Sequence, residues 1–335
     1  MNQKLTGLYV LSNRDLIYGP EERQAVERSA EIPVPPIAAA QLAEQSAELL
    51  ARVEVLLSGW GGPRLDAELL SKMPKLRAFF YGAGSLRGVV TEAVWQRELV
   101  VCSAWAANAE PVAEYTLAAI LLSLKRAWLF ILEGDRRKSA VGKSGENTPG
   151  AYGSTVGLVS FGMIARRVCR LLQNFDLRVR VYDPFVAPAE IAAAGAVACS
   201  SLDELFAVSD VVSLHTPRLP ETEGMIGGRH FAAMKQNATF INTARGAVVR
   251  EGEMVEALRS RPDLWAVLDV TWPEPVPSDS PLLDLPNLVR TPHIAGSMGA
   301  ECRRMGRYMA EELHRFATGK SLRWQVDRDK FAHMA

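Results

Sequence analysis

The chain has 335 residues, enough for two domains at roughly 150 residues each. Hydrophobic residues make up 48% and charged residues 23%, so sizeable cores can form and compositional disorder is excluded. Lys plus Arg and Asp plus Glu both total 38, and the resulting zero net charge excludes a global basic field for nucleic acid or an anionic membrane. Four cysteines (Cys102, Cys169, Cys199, Cys302) stand apart with no C-x-x-C pair, which argues against a disulfide scaffold or a thiolate metal site and suits a reducing cytoplasm. The opening MNQKLTGLYVLSNRD has too short an apolar run for a signal peptide. The most apolar stretch, 117–132, is broken by Lys125 and Arg126 and makes a poor membrane span. A cytoplasmic protein that binds no metal, nucleic acid or membrane is the expectation.

Short β-branched runs alternate with Ala/Leu/Glu-rich helical ones, the pattern of an α/β fold with parallel sheets. In the first hundred residues strands are predicted over 8–11, 53–57, 76–81 and 99–102, with a helix over 36–53. A long helix is predicted from Pro111, placed in its first turn where the missing N–H costs nothing, to a stop at Gly134. The polar stretch 136–153 reads as an exposed loop feeding a second α/β series. Its strands are predicted over 155–159, 178–182, 210–214, 239–242, 265–270 and 288–290, and a last helix over 299–317. Two doubly wound parallel-sheet domains follow.

The segment TVGLVSFGMIARRVCRLL reads as strand, turn and helix, the arrangement that offers backbone N–H groups to a pyrophosphate. Its G-x-G-x-x-G/A positions hold Ser160, Gly162 and Ala165; Ala is allowed third, whereas Ser first is not standard. Asp183 ends the next strand 21 residues after Gly162, where an acidic residue accepts the adenosine ribose hydroxyls. It is also a common turn residue before Pro184. Together the two features favour a dinucleotide site. Gly142-Lys143-Ser144 lacks the upstream glycine of a phosphate loop, since Arg137 stands there. Among the histidines, His230, His314 and His333 read as structural or solvated. His215 and His293 both follow strands, at the rim where ligands bind in open α/β sheets, and each alone could be functional or merely structural.

These residues resemble the D-isomer-specific 2-hydroxyacid dehydrogenases. The likeness rests on three ordered motifs: 234–246 (MKQNATFINTARG), 266–275 (AVLDVTWPEP), and LPNLVRTPHIAG over 285–296. Further landmarks are His215-Thr216-Pro217, Pro220-Glu221-Thr222, Gly82-Ala83-Gly84, Asn108 and Val112-Ala113-Glu114. The resemblance implies a flavodoxin-like substrate domain, 1–105 plus 296–335, with an inserted Rossmann NAD-binding domain over 106–295 and the site in the cleft between them. It implies catalytic Arg245, Glu274 and His293: His293 as general acid/base, Glu274 as its partner, and Arg245 as a planar fork for the substrate carboxylate and carbonyl. Backbone N–H groups of Ala83 and Gly84 would take the carboxylate's other side. NAD would meet Ser160, Gly162, Met163 and Ile164 at the pyrophosphate turn and Asp183 at the ribose. Pro217 and Thr222 would lie on the adenosine side, with Thr243 and Asp269 near the nicotinamide.

The implied activity is NAD-dependent interconversion of a 2-oxo acid and a D-2-hydroxy acid. A second reading is an NAD(H)-sensing, corepressor-like protein on the same fold. Ser160 puts a Cβ where the fingerprint has none, which sets cofactor affinity in question. The 111–133 segment is apolar almost all round, so it needs cover on more than one side, and a homodimer is expected.

Overall fold

Runs such as VLLS and AFFY carry almost no polar alternation, as strands buried on both faces do. They form the middle of a five-stranded sheet: β1 (Leu5–Val10), β2 (Ala30–Glu31), β3 (Val55–Ser58), β4 (Ala78–Tyr81) and β5 (Val100–Ser103). Its order is β2-β1-β3-β4-β5, and every pairing is parallel. Because side chains alternate along a strand, Leu8, Leu56, Phe79 and Val101 enter one apolar cluster and Tyr9, Leu57, Phe80 and Cys102 the other. The helix Cys302–Ala317 closes the second face with Met305, Met309 and Leu313, spaced four apart on one stripe. Its fully buried Glu312 accepts the backbone N–H groups of Arg323 (2.8 Å) and Trp324 (3.0 Å), fixing a return segment that meets β5 at Gln325.

The seven-stranded sheet comprises β6 (Thr155–Val159), β7 (Arg178–Tyr182), β8 (Val197–Ala198), β9 (Val211–Leu214), β10 (Thr239–Asn242), β11 (Trp265–Leu268) and β12 (Leu288–Arg290). Its order is β12-β11-β10-β9-β6-β7-β8, again all parallel. The strand order reverses at the β9–β6 pair, the point where a crevice opens at carboxyl ends. This computed structural model describes residues 4–133 and 148–334, and the chain divides into two units, Met1–Ala109 with Ser297–Ala335, and Glu110–Gly296.

The ten predicted strands all appear, within a few residues at their ends. Two more, β2 and β8, are two-residue edge strands too short to leave a pattern in sequence. The region predicted as a helix over 36–53 is split into a 3-10 turn, Ala39–Glu44, and a helix, Ala47–Arg52. The long helix starts earlier than predicted and is Trp105–Leu124, so Pro111 lies inside it and not in its first turn. Pro111 has no N–H for the Ala107 carbonyl, so one rung is missing. The start belongs to Ser103, whose Oγ accepts the Trp105 N–H at 3.3 Å. The helix ends where Arg126 takes a left-handed φ of 52°, and Ala127–Glu133 follows. The predicted stop at Gly134 and the Gly142-Lys143-Ser144 motif lie outside the described residues. The last helix is preceded by a 3-10 turn, Gly299–Glu301.

Candidate active site

The turn after β6 shows how the chain accommodates Ser160. Its φ is 70°, a conformation that costs a residue with a Cβ about 1–2 kcal/mol. The side chain gains a partner there, with Oγ 2.8 Å from Thr216 Oγ1 on the loop after β9. Next door, the Phe161 N–H donates to Asp183 Oδ2 at 2.7 Å, and Phe185 N–H donates to Asp183 Oδ1 at 2.8 Å. Asp183 thus ties the end of β7 to the turn after β6. Gly162 caps the helix Met163–Leu172 with no side-chain hydrogen bond. A Cβ built on Gly162 would meet nothing within 4 Å, so open space lies before the uncapped N–H groups of Met163 and Ile164. That is a fit for an anionic diphosphate.

Pro217 and Thr222 sit together: Thr222 Oγ1 donates to the Pro217 carbonyl at 2.6 Å and accepts the Leu219 N–H at 2.8 Å. Thr243 is buried, its Oγ1 3.0 Å from Thr116 Oγ1. His215 pairs through Nε2 with Ser213 Oγ at 3.0 Å, and burial pushes its pKa down to about 3. It is therefore neutral near pH 7, and among the described residues no carboxylate is bonded to it. His230 is buried and accepts the Gly227 N–H on Nδ1, a structural role.

Arg245, Glu274 and His293 project from consecutive loops at the carboxyl ends of β10, β11 and β12. Buried Asn242 shapes the first loop: its Oδ1 accepts the Ala244 N–H at 2.9 Å and its Nδ2 donates to the Arg245 carbonyl at 3.0 Å. Gly246 then presses on the next loop so closely that a Cβ there would lie 2.1 Å from the Thr271 carbonyl carbon. Glu274 follows three residues after Thr271, flanked by cis peptides at Trp272-Pro273 and Glu274-Pro275. Burial lowers the Arg245 pKa, and the charge of Glu274 opposes that shift.

The third loop hangs on one buried carboxylate. Asp269 Oδ1 accepts from Thr291 Oγ1 (2.6 Å) and the Ile294 N–H (2.8 Å), and Oδ2 accepts the Ala295 N–H (2.9 Å). The Asp269 carbonyl takes the His293 N–H at 2.9 Å, while His293 itself adopts φ 57°. So held, the imidazole places Nδ1 2.9 Å from Glu274 Oε1. Nε2 is left as the nitrogen able to exchange a proton, and the Arg245 cation stands on the loop beyond that of Glu274: an arrangement suited to protonating an oxygen on an anionic substrate.

In the first unit, Ala83 and Gly84 follow β4, and buried Ser103 at the end of β5 lies within hydrogen-bond reach of both their carbonyls. Sequence reasoning missed Ser103, which lies outside every motif, and the role of Asn242, which lies within 234–246 but was given none there. It also missed the Arg218 guanidinium stacked 3.9 Å over the Trp272 ring. Among the described residues no group of three His, Cys, Asp or Glu could hold a metal ion, and no helix is long and apolar enough to cross a membrane.

The family pattern described as D-isomer specific 2-hydroxyacid dehydrogenase, NAD binding domain, matches residues 119–295. The chain belongs to the D-isomer specific 2-hydroxyacid dehydrogenase family. It is similar to a (S)-sulfolactate dehydrogenase of Chromohalobacter salexigens, 38% identical over 237 residues that cover 70% of this chain and 75% of that one. A D-3-phosphoglycerate dehydrogenase of Mycobacterium leprae is 34% identical over 258 residues, 76% of this chain and 48% of that one. The chain thus spans about half the length of that phosphoglycerate dehydrogenase. Among solved structures, a phosphoglycerate oxidoreductase from Rhizobium etli superposes with a TM-score of 0.81 at 25% identity, covering 97% of this chain and 99% of that one. As a member of this dehydrogenase family the chain is an NAD-dependent oxidoreductase, and a purely sensing protein is not favoured.

Proposed function

We propose that this family member reduces a 2-oxo acid to a D-2-hydroxy acid, reversibly, with His293 as the general acid. The observation that carries the reading is the 2.9 Å contact between His293 Nδ1 and Glu274 Oε1, on the loop beside Arg245. In reduction, the protonated imidazole gives its Nε2 proton to the carbonyl oxygen as negative charge develops there. Glu274 accepts the Nδ1–H and keeps the ring in that orientation. Arg245 holds the substrate's carboxylate and carbonyl with its planar fork. When bound, NADH supplies the hydride.

The second unit would hold the dinucleotide through Ser160, Gly162, Met163 and Ile164 at the diphosphate, Asp183 at the ribose, Pro217 and Thr222 at the adenosine, and Thr243 and Asp269 at the nicotinamide. The first unit is the substrate unit, with backbone N–H groups of Ala83 and Gly84 as carboxylate donors. Four free, buried cysteines are consistent with a cytoplasmic setting. A homodimer is part of the reading, because Leu122, Phe130, Ile131 and Leu132 stay exposed on the long helical segment. Light scattering at micromolar concentration reads the assembly directly: twice the chain mass supports it and the single-chain mass overturns it.

The deciding experiment is loss of NADH absorbance with a panel of 2-oxo acids: glyoxylate, hydroxypyruvate, pyruvate, and branched and aromatic members. Turnover of at least one supports an enzyme with His293 at its centre. NADH binding without turnover of any would return the reading to a sensor.

A further inference from the structure

We propose that Ser103 is a positioning residue for substrate binding: its buried hydroxyl turns the peptides after β4 so that the N–H groups of Gly84 and Ser85 point outward as a pair of carboxylate donors. The inference rests on the proposed reading of the first unit as the substrate unit. It starts from the ends of two neighbouring parallel strands. β4 ends at Tyr81, whose carbonyl takes the Ala104 N–H, and β5 ends at Ser103, which is fully buried. Ser103 Oγ lies 2.9 Å from the Ala83 carbonyl oxygen and 2.7 Å from that of Gly84. A hydroxyl has one proton, so it serves the two acceptors in turn, and its own lone pair is taken by the Trp105 N–H at 3.3 Å.

Planarity carries the argument from those carbonyls to the donors. In a trans peptide the C=O and the following N–H point in opposite directions, and the cis bonds among the described residues lie elsewhere, at 272–273 and 274–275. With the Ala83 carbonyl drawn in to Ser103, the Gly84 N–H points away; with the Gly84 carbonyl drawn in, so does that of Ser85. Two consecutive N–H groups on one side form an anion-binding concavity. Neither has an acceptor among the described residues, and Gly84 is open enough that an added Cβ would meet only Asn108 Nδ2, at 3.5 Å. That amide is itself oriented, because Asn108 Oδ1 accepts the Ser297 N–H at 2.9 Å, leaving its donor end toward Gly84. The site is therefore all donor, and the Ser85 N–H joins those of Ala83 and Gly84 in it.

The test compares the parent with Ser103→Ala and Ser103→Thr, the latter keeping a hydroxyl at a strand end where a β-branched residue fits. Steady-state kinetics would use the best 2-oxo acid of the panel, with oxamate as a carboxylate-bearing inhibitor and NADH binding followed by fluorescence. Ser103→Ala should raise KM and the oxamate inhibition constant by about tenfold, the worth of one aligned hydrogen bond, with NADH affinity unchanged. Ser103→Thr should restore both to near the parent values. A purely structural role would instead lower the melting temperature and weaken NADH binding and turnover together. A folded Ser103→Ala with KM and oxamate inhibition within about twofold of the parent overturns the proposal. A parent that turns over no 2-oxo acid and does not bind oxamate overturns the functional reading beneath it, a result distinct from an active parent with an indifferent variant.

Discussion

Gly246→Ala isolates how the loop carrying Arg245 is seated on the loop carrying Glu274. An added methyl carbon would sit 2.1 Å from the Thr271 carbonyl carbon, 2.2 Å from its oxygen and 2.6 Å from the Trp272 nitrogen. Ordinary contact begins near 3.4 Å, so main chain must retreat by more than an ångström, and no flexible side chain is there to yield. Overpacking against a rigid wall should cost about 2–3 kcal/mol, in the upper part of the usual range. For a unit of this size that lowers the melting temperature by roughly 5–10 °C. The displaced atoms lie between Arg245 and Glu274, and a shift of about 1 Å in such a constellation typically costs about a hundredfold in turnover. Gly252→Ala supplies the control, since a Cβ there meets nothing within 4 Å in the helix Glu251–Ser260 and should raise stability by about 0.5 kcal/mol. Differential scanning fluorimetry and NADH-coupled kinetics read both variants. Gly246→Ala melting within about 1 °C of the parent, with turnover within about twofold, would refute the seating argument.

His293→Asn should remove turnover by about 10²–10⁴-fold while leaving the NADH dissociation constant near the parent value. Asn is chosen because it accepts the left-handed φ of 57° better than Ala does; retained activity would exclude His293 as the acid. NADH should be preferred to NADPH in kcat/KM, because Asp183 would face a 2′-phosphate with a like charge, and equal use of NADPH would overturn this. His215 should make the fold acid-sensitive: its pKa is about 3 when folded and near 6.5 when unfolded, so below pH ~6.5 the unfolded chain binds the extra proton and stability falls. The loss is about 1.4 kcal/mol per pH unit, and denaturant melts of His215→Gln should show a shallower decline from pH 6.5 to 5 than the parent. Identical slopes would count against a half-buried His215 held neutral in the fold.

The strands were legible because burial on both faces leaves nearly unbroken apolar runs, as in AFFY and WAVL, and such runs need no partner to be recognised. β2 and β8 were not, since two residues at a sheet edge have no period. The start of the long helix was misplaced because Pro111 looks like a first-turn residue, whereas the true boundary depends on Ser103 receiving the Trp105 N–H across a strand end. The candidate site divides in the same way. Arg245, Glu274 and His293 sit in long motifs and could be named from sequence. What seats them could not: Asn242 acts through the backbone of its own turn, Gly246 through contact with a loop 25 residues away, and Ser103 through carbonyls some 20 residues earlier. Ser160 looked like a defect in the dinucleotide fingerprint, and only the fold shows Thr216 waiting for its hydroxyl.

The first unit is assembled from both ends of the chain, and this sets the order of events during synthesis. Its β1, β3, β4 and β5 are complete by Ser103, yet the stripe of Cys302, Met305, Met309 and Leu313 that covers one of their faces is translated about 200 residues later. At about 5–20 residues per second, that face waits roughly 10–40 s for its cover. Tyr9, Leu57 and Phe80 stay without their helical lid throughout, while the second unit, contiguous from Glu110 to Gly296, can already fold on the ribosome. The nascent chain is thus most prone to aggregate between these two moments, and holdase chaperones that bind apolar strands would find their target in the first hundred residues.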